Sequence, residues 1–253
     1  MIDSHAHIYL EQFDEDLIEV LDRAQEAGVD KILMPNIDHR SIDRMMEVEE
    51  EHRNLVFCMM GLHPCSVSKD FEKELYEVES WLEKRDFIAV GEIGTDLYWD
   101  KTKFDYQKEA LKIQCDLALK HKLPVVLHCR ESIDDTIDIV RPYAEKGLQG
   151  VFHCFTGDVV QGKKIVEMGF FLGIGGVATF KNAGLDKVLP ELPLGCMMLE
   201  TDSPYLAPSP NRGKRNEPAY VSLVADRLAV ILEKDKSTLV ENTRNNTLKL
   251  FDL

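Results

Sequence analysis

The chain has 253 residues, 44% of them hydrophobic and 30% charged, which is the balance of a globular protein and excludes a disordered one. Forty-five acidic against 30 basic side chains leave a net charge of -15, which excludes a coat protein for nucleic acid, because such binding is driven by Lys and Arg displacing counterions. No apolar run approaches the roughly 18 residues of a bilayer span, and Asp3, His5 and His7 stand where a leader would carry basic and apolar residues, so a cytoplasmic chain is expected.

From the N-terminus, short apolar runs alternate with amphipathic segments. The first run, 1–8, precedes a helical pattern at 14–27; a run at 31–35 precedes 41–51; a run at 56–62 precedes 71–84; and a run at 87–93 precedes 104–121. The series continues with the run 124–128 and helix 132–146, the run 150–154 and helix 159–168, the run 169–174 and a weak helical pattern at 180–189, and the run 196–200. Most runs are continuous in Val, Ile, Leu, Met and Phe, as parallel strands covered on both faces require. Repeated strand–helix units imply right-handed parallel crossovers. The expected fold is an α/β (β/α)8 TIM barrel in a single domain, with extra C-terminal helices at 220–233 and 236–250; a doubly wound open sheet is the alternative. The connection 203–218, rich in Pro, Asn, Gly and basic residues, has no periodicity, and aperiodic loops of that length are often functional.

Barrel enzymes build their sites at the C-terminal ends of strands. His5 and His7 end the first run, Glu92 the fourth, His128 the fifth, His153 the sixth and Asp202 the eighth. Side chains two apart on a strand point the same way, so the His5 and His7 imidazoles can converge on one ion. Histidines and carboxylates suit Zn, Mn, Ni or Fe as divalent ions. No Lys ends the fourth run to bridge two ions, and Glu92, between Gly91 and Gly94 in a Gly-Glu-Ile-Gly stretch, is the available bridge. Asp202 can bind metal and accept a proton from water, and Glu200 shares its side of the strand. The six cysteines show no C-x-x-C pair and read as reduced thiols; Cys129 and Cys154 are expected to turn away from the site as packing groups.

The segments Asp3-Ser4-His5-Ala6-His7, Gly61-Leu62-His63-Pro64, Gly91-Glu92-Ile93-Gly94 with Asp96, Leu127-His128-Cys129-Arg130, His153-Cys154-Phe155-Thr156-Gly157, Glu200-Thr201-Asp202-Ser203-Pro204-Tyr205-Leu206 and Arg212-Gly213-Lys214-Arg215-Asn216-Glu217-Pro218 together resemble the TatD family of metal-dependent deoxyribonucleases, in order over essentially the whole chain. The resemblance implies a two-metal hydrolase of the amidohydrolase superfamily acting on DNA, often as a 3′ to 5′ exonuclease, with no membrane or obligate protein partner expected. It implies that His5, His7, Glu92 and Asp202 hold one divalent ion (Zn, Mn, Ni, Mg or Fe) and Glu92, His128 and His153 a second, with His63 near the scissile group. Two departures from the family pattern stand beside the site. Ile8 and Tyr9 occupy positions usually held by Leu or Phe and then Asp or Asn, and Thr95 precedes Asp96 where Leu is common. Arg130, Arg212, Lys214 and Arg215 are the expected phosphate contacts, through donors that suit phosphate oxygens. Hydrolysis of an ester, lactone or amide, and metal binding without catalysis, are the competing readings.

Overall fold

Helix α1 (Leu17–Glu26) forms because Leu17, Val20, Leu21 and Ala24 recur at the spacing that lines one helical face, and all four are buried. The same rule places Phe71, Leu75, Val78 and Leu82 of α3 (Phe71–Lys84) inward. A computed structural model describes residues 1–253. It contains the parallel strands β1 (Ile2–Asp3), β2 (Lys31–Met34), β3 (Val56–Cys58), β4 (Val90–Asp96), β5 (Val125–Arg130), β6 (Gly150–Phe152), β7 (Phe171–Ile174) and β8 (Met197–Leu199). The remaining helices are α2 (Ile42–Glu51), α4 (Phe104–His121), α5 (Ile133–Ala144), α6 (Val159–Glu167), α7 (Leu185–Val188), α8 (Val221–Ile231) and α9 (Lys236–Phe251).

Strands β1 to β3 hydrogen-bond as one sheet and β4 to β8 as another, each in sequence order. Isolated parallel bridges span both seams, Ala6 with Ser203 and Met60 with Val90. The Ser4 amide donates to the Leu199 carbonyl at 3.0 Å, and the Gly91 amide to that of Met60 at 3.1 Å. The result is the expected (β/α)8 order, drawn into a ring whose two seams are carried by bridges rather than full ladders. No helix is long and apolar enough to cross a membrane.

Three elements depart from the sequence expectation. The first strand stops at Asp3, and His5 and His7 lie beyond it in chain that stays extended because Ala6 pairs on both sides, its amide donating to Leu33. The fourth strand runs on to Asp96, so Glu92 is inside it rather than at its end, next to a register shift between Val90 and Ile93. The weak helix expected at 180–189 is a single α-turn, α7, flanked by short 3-10 turns.

Candidate metal centre

The seam between β8 and β1 brings the first ligand candidates together. The Asp202 amide donates to the His5 carbonyl at 2.8 Å, which sets the Asp202 carboxylate beside the His5-x-His7 pair. His5 Nε2 lies 3.3 Å from His7 Nε2, and both face Glu92 Oε2, at 3.2 and 3.4 Å. Asp202 Oδ1 is 3.8 Å from His5 Nε2 and 3.7 Å from His7 Nε2.

The other oxygen of Glu92 serves a second group. Glu92 Oε1 is 2.9 Å from His128 Nδ1, 3.1 Å from His153 Nε2 and 3.4 Å from His63 Nε2. Close packing of β4 on β5 makes this possible. Gly94 pairs with His128 at a φ of +142°, and a Cβ there would sit 1.9 Å from the His128 carbonyl oxygen, so only glycine permits the approach. The His153 ring stacks on His5, with centroids 3.8 Å apart, and joins the two groups.

The proton inventory shows which nitrogens can act as ligands. Tyr9 Oη donates to the Pro35 carbonyl at 2.7 Å and therefore accepts from His7 Nδ1 at 2.8 Å, leaving the Nε2 lone pair of a neutral His7 aimed at His5 and Glu92. His128 Nε2 faces Asp96 Oδ2 at 3.0 Å, so a neutral ring donating there turns its Nδ1 lone pair to Glu92. His63 differs, because its Nδ1 accepts the Cys65 amide at 3.1 Å and a neutral ring must then carry its proton on Nε2. Lone pairs facing carboxylate oxygens in a buried cluster repel one another unless protons or a cation intervene. The donor set therefore fits divalent cations: His5, His7 and Glu92, and His5, His153 and Asp202, lie within ligand reach of one another, while in the third such group, His63, Glu92 and His128, the Nε2 proton of a neutral His63 stands between it and a ligand role.

Burial opposes the charge on Glu92, but His63, His153 and His5 outweigh it and hold the carboxyl well below the usual range. Burial pushes Asp202 up to about 6, against the pull of His153 and His7. For His153, burial disfavours the cation, and the facing Glu92 and Glu200 reverse that and raise it well above its ordinary value. His5 is driven well below its ordinary value by burial and then by His153.

A cavity of about 960 Å³ opens over this cluster. His7, Glu92, His128, His153, Asp202 and His63 line it, with Arg130, Arg212 and Lys214. Arg215 is a correction: it does not line the cavity but donates to Asp16 at 2.7 Å and to the Gln12 carbonyl, which anchors the loop to the chain before α1. Cys129 and Cys154 are a second correction. Both are half-buried and line the cavity, although Cys129, inside β5, also packs against the core as expected; for Cys154, β6 has ended at Phe152 and φ is +47°, so strand alternation no longer governs it.

Asp96 is a site residue that its local sequence does not single out, although it lies four residues beyond Glu92, on the same side of β4. Tyr9, which stands out in the sequence only as a departure from the family pattern, lies in the turn just after the His5-x-His7 pair. Glu200 is buried beside His153, and its Oε1 accepts the Cys154 amide at 2.6 Å. His153 Nδ1 lies 3.4 Å from that oxygen without hydrogen-bond alignment.

Histidines and carboxylates gathered at the C-terminal mouth of a β/α ring define the class, a metal-dependent hydrolase. The chain belongs to the TatD related DNase family, whose sequence profile matches residues 2–252. It is 36% identical to the metal-dependent hydrolase YabD of Bacillus subtilis over 99% of this chain and 98% of that protein. The crystal structure of YjjV, a TatD homologue from Escherichia coli, superposes with a TM-score of 0.94 at 30% identity, over 100% of this chain and 98% of that one. A protein of Erwinia tasmaniensis named 3′-5′ ssDNA/RNA exonuclease TatD is 29% identical over 100% of both chains.

Proposed function

We propose that this protein is a cytoplasmic, divalent-metal-dependent deoxyribonuclease that removes nucleotides from the 3′ ends of single-stranded DNA. One observation carries the reading: a single buried carboxylate, Glu92, turns one oxygen to each of two histidine groups, at the base of a cavity that also presents Arg130, Arg212 and Lys214. The Erwinia relative's name supports the choice of substrate and polarity. His5, His7, Glu92 and Asp202 would hold one ion, and Glu92, His128 and His153 the second. Bound divalent ions supply Lewis acidity and bring the pKa of water toward neutrality.

The chain's own residues do the rest. Asp202, whose carboxylate stands beside the His5 and His7 rings, accepts the proton of the attacking water. His63 presents its Nε2 proton to a phosphoryl oxygen. Arg130, Arg212 and Lys214 bind the phosphates of the strand. Water oxygen joins phosphorus as the bond to the 3′ oxygen breaks, and that oxygen takes up the proton Asp202 removed from water and leaves as the new 3′ hydroxyl.

The test is a screen of 3′-labelled single-stranded DNA beside acyl esters, lactones and a phosphotriester, with and without chelator, using the natural chain and the double substitution His128→Ala, His153→Ala. Chelator-sensitive loss of the 3′ label by the natural chain, abolished in the double variant, is expected. Turnover confined to acyl esters or lactones would replace the nuclease reading, and full activity in the double variant would refute the site.

A further inference from the structure

The turn after β4 carries an aromatic surface that the hydrolytic chemistry leaves unused. Trp99 is 69% exposed and Tyr98 48% exposed, and Trp99 lines the rim of the cavity. The two rings meet edge to face, with centroids 5.0 Å apart and planes at 88°. The Arg130 guanidinium lies 3.6 Å from the Tyr98 ring centroid and 5.6 Å from that of Trp99.

This surface is held in place rather than dangling. The amides of Tyr98 and Trp99 each donate to Asp96 Oδ1 at 2.9 Å, while Asp96 Oδ2 faces His128 Nε2 at 3.0 Å. The Leu97 amide donates to the Arg130 carbonyl at 2.9 Å. One carboxylate thus ties the backbone that carries the exposed indole to a ligand-candidate histidine. An exposed indole beside a planar cation, both at the rim of one cavity, presents a stacking surface and a phosphate-binding fork side by side. In a chain of net charge -15, Arg130 forms no ion pair with the protein's own acids, which leaves its donors free for an anion.

The geometry points to Trp99 as the stacking platform for a nucleobase next to the cleaved phosphodiester, with Arg130 on the neighbouring phosphate. This rests on the nuclease reading above. Base–aromatic stacking is indifferent to base identity because every base has a π-face. The enzyme therefore requires an unpaired base at that position but does not discriminate its sequence.

The experiment compares kcat/KM of the manganese-loaded full chain on octathymidylate and on the same octamer with abasic residues at its 3′ end. The natural chain should prefer the base-bearing strand by about tenfold, mostly through KM, and Trp99→Ala should bring the ratio to about one while Trp99→Phe retains most of it. Quenching of tryptophan fluorescence by octathymidylate should disappear in Trp99→Phe and persist in Trp81→Phe. Hydrolysis with the same preference in Trp99→Ala, or with no preference in the natural chain, would overturn the platform and leave the nuclease reading standing. Hydrolysis of neither octamer by the natural chain would overturn both.

Discussion

Tyr9 and Asp96 decide which nitrogen each neighbouring histidine offers. A ligand histidine is normally oriented by a hydrogen bond to its other ring nitrogen, and loss of such a partner typically costs 10- to 100-fold in metal affinity. Tyr9→Phe removes the acceptor for His7 Nδ1 and strands the Pro35 carbonyl, so divalent-metal affinity should fall by about tenfold or more, as measured by competition with a chromophoric chelator. Unchanged affinity would show that the Tyr9 hydroxyl does not set the tautomer. The candidate ligands were legible because histidines and acids at the ends of apolar runs need only alternation to be placed. Asp96 obeys the same alternation and Tyr9 lies in a turn, but the partners of both, the Pro35 carbonyl and the Tyr98–Trp99 turn, are created by folding and leave no local pattern.

At the scale of elements, the 203–217 segment is a structured wall of the cavity despite having no helix or strand. Asn216 Nδ2 donates to the Thr201 and Tyr205 carbonyls at 2.8 and 2.7 Å, and Arg23 pairs with Glu217 at 2.7 Å. The hydrogen bond from Arg215 holds the Asp16 carboxyl below its usual range, against a smaller penalty from burial. Because the folded value is depressed, the stability it contributes is present above pH ~4 and is lost as pH falls through the folded value. Asp16→Asn should lower Tm by a few degrees near neutral pH, consistent with about 1 kcal/mol for a partly exposed pair, and the difference should close on acidification. A Tm gap independent of pH would place the effect elsewhere. The basic residues of this loop could be read in the sequence, but which of them faces the cavity could not, since Arg215 is claimed by an acid 199 residues away.

Also on this scale, Gly94→Ala should destabilise the protein by at least about 2 kcal/mol, because the Cβ would overlap the His128 carbonyl and the φ of +142° disfavours any side chain. Urea unfolding checks this, and a change below ~0.5 kcal/mol would mean that β4 can retreat from β5 at little cost.

Across the whole molecule, the charge of -15 is carried largely on the outer surface: Glu11, Asp14, Glu15, Glu19, Glu47, Glu50 and Glu51 are exposed, while Glu92 is buried at the centre. A strand of DNA would meet only a few cations, Arg130, Arg212 and Lys214. The dependence of log affinity on log salt should therefore be shallow, with a slope of about -2, and a slope steeper than about -5 would require a basic surface that this fold does not display. The strand–helix alternation made the fold legible, because parallel strands are apolar throughout and their crossovers are long enough to show helical period. The bridged seams were not, since β1, β3 and β8 are too short to announce their own ends.

In the proposed site one carboxylate, Glu92, would serve two ion positions. Elemental analysis of the natural chain and of Glu92→Ala, each dialysed against manganese, measures it directly. Two ions per natural chain and fewer than one in the variant are expected, whereas two ions retained in Glu92→Ala would show that the ions do not share this carboxylate.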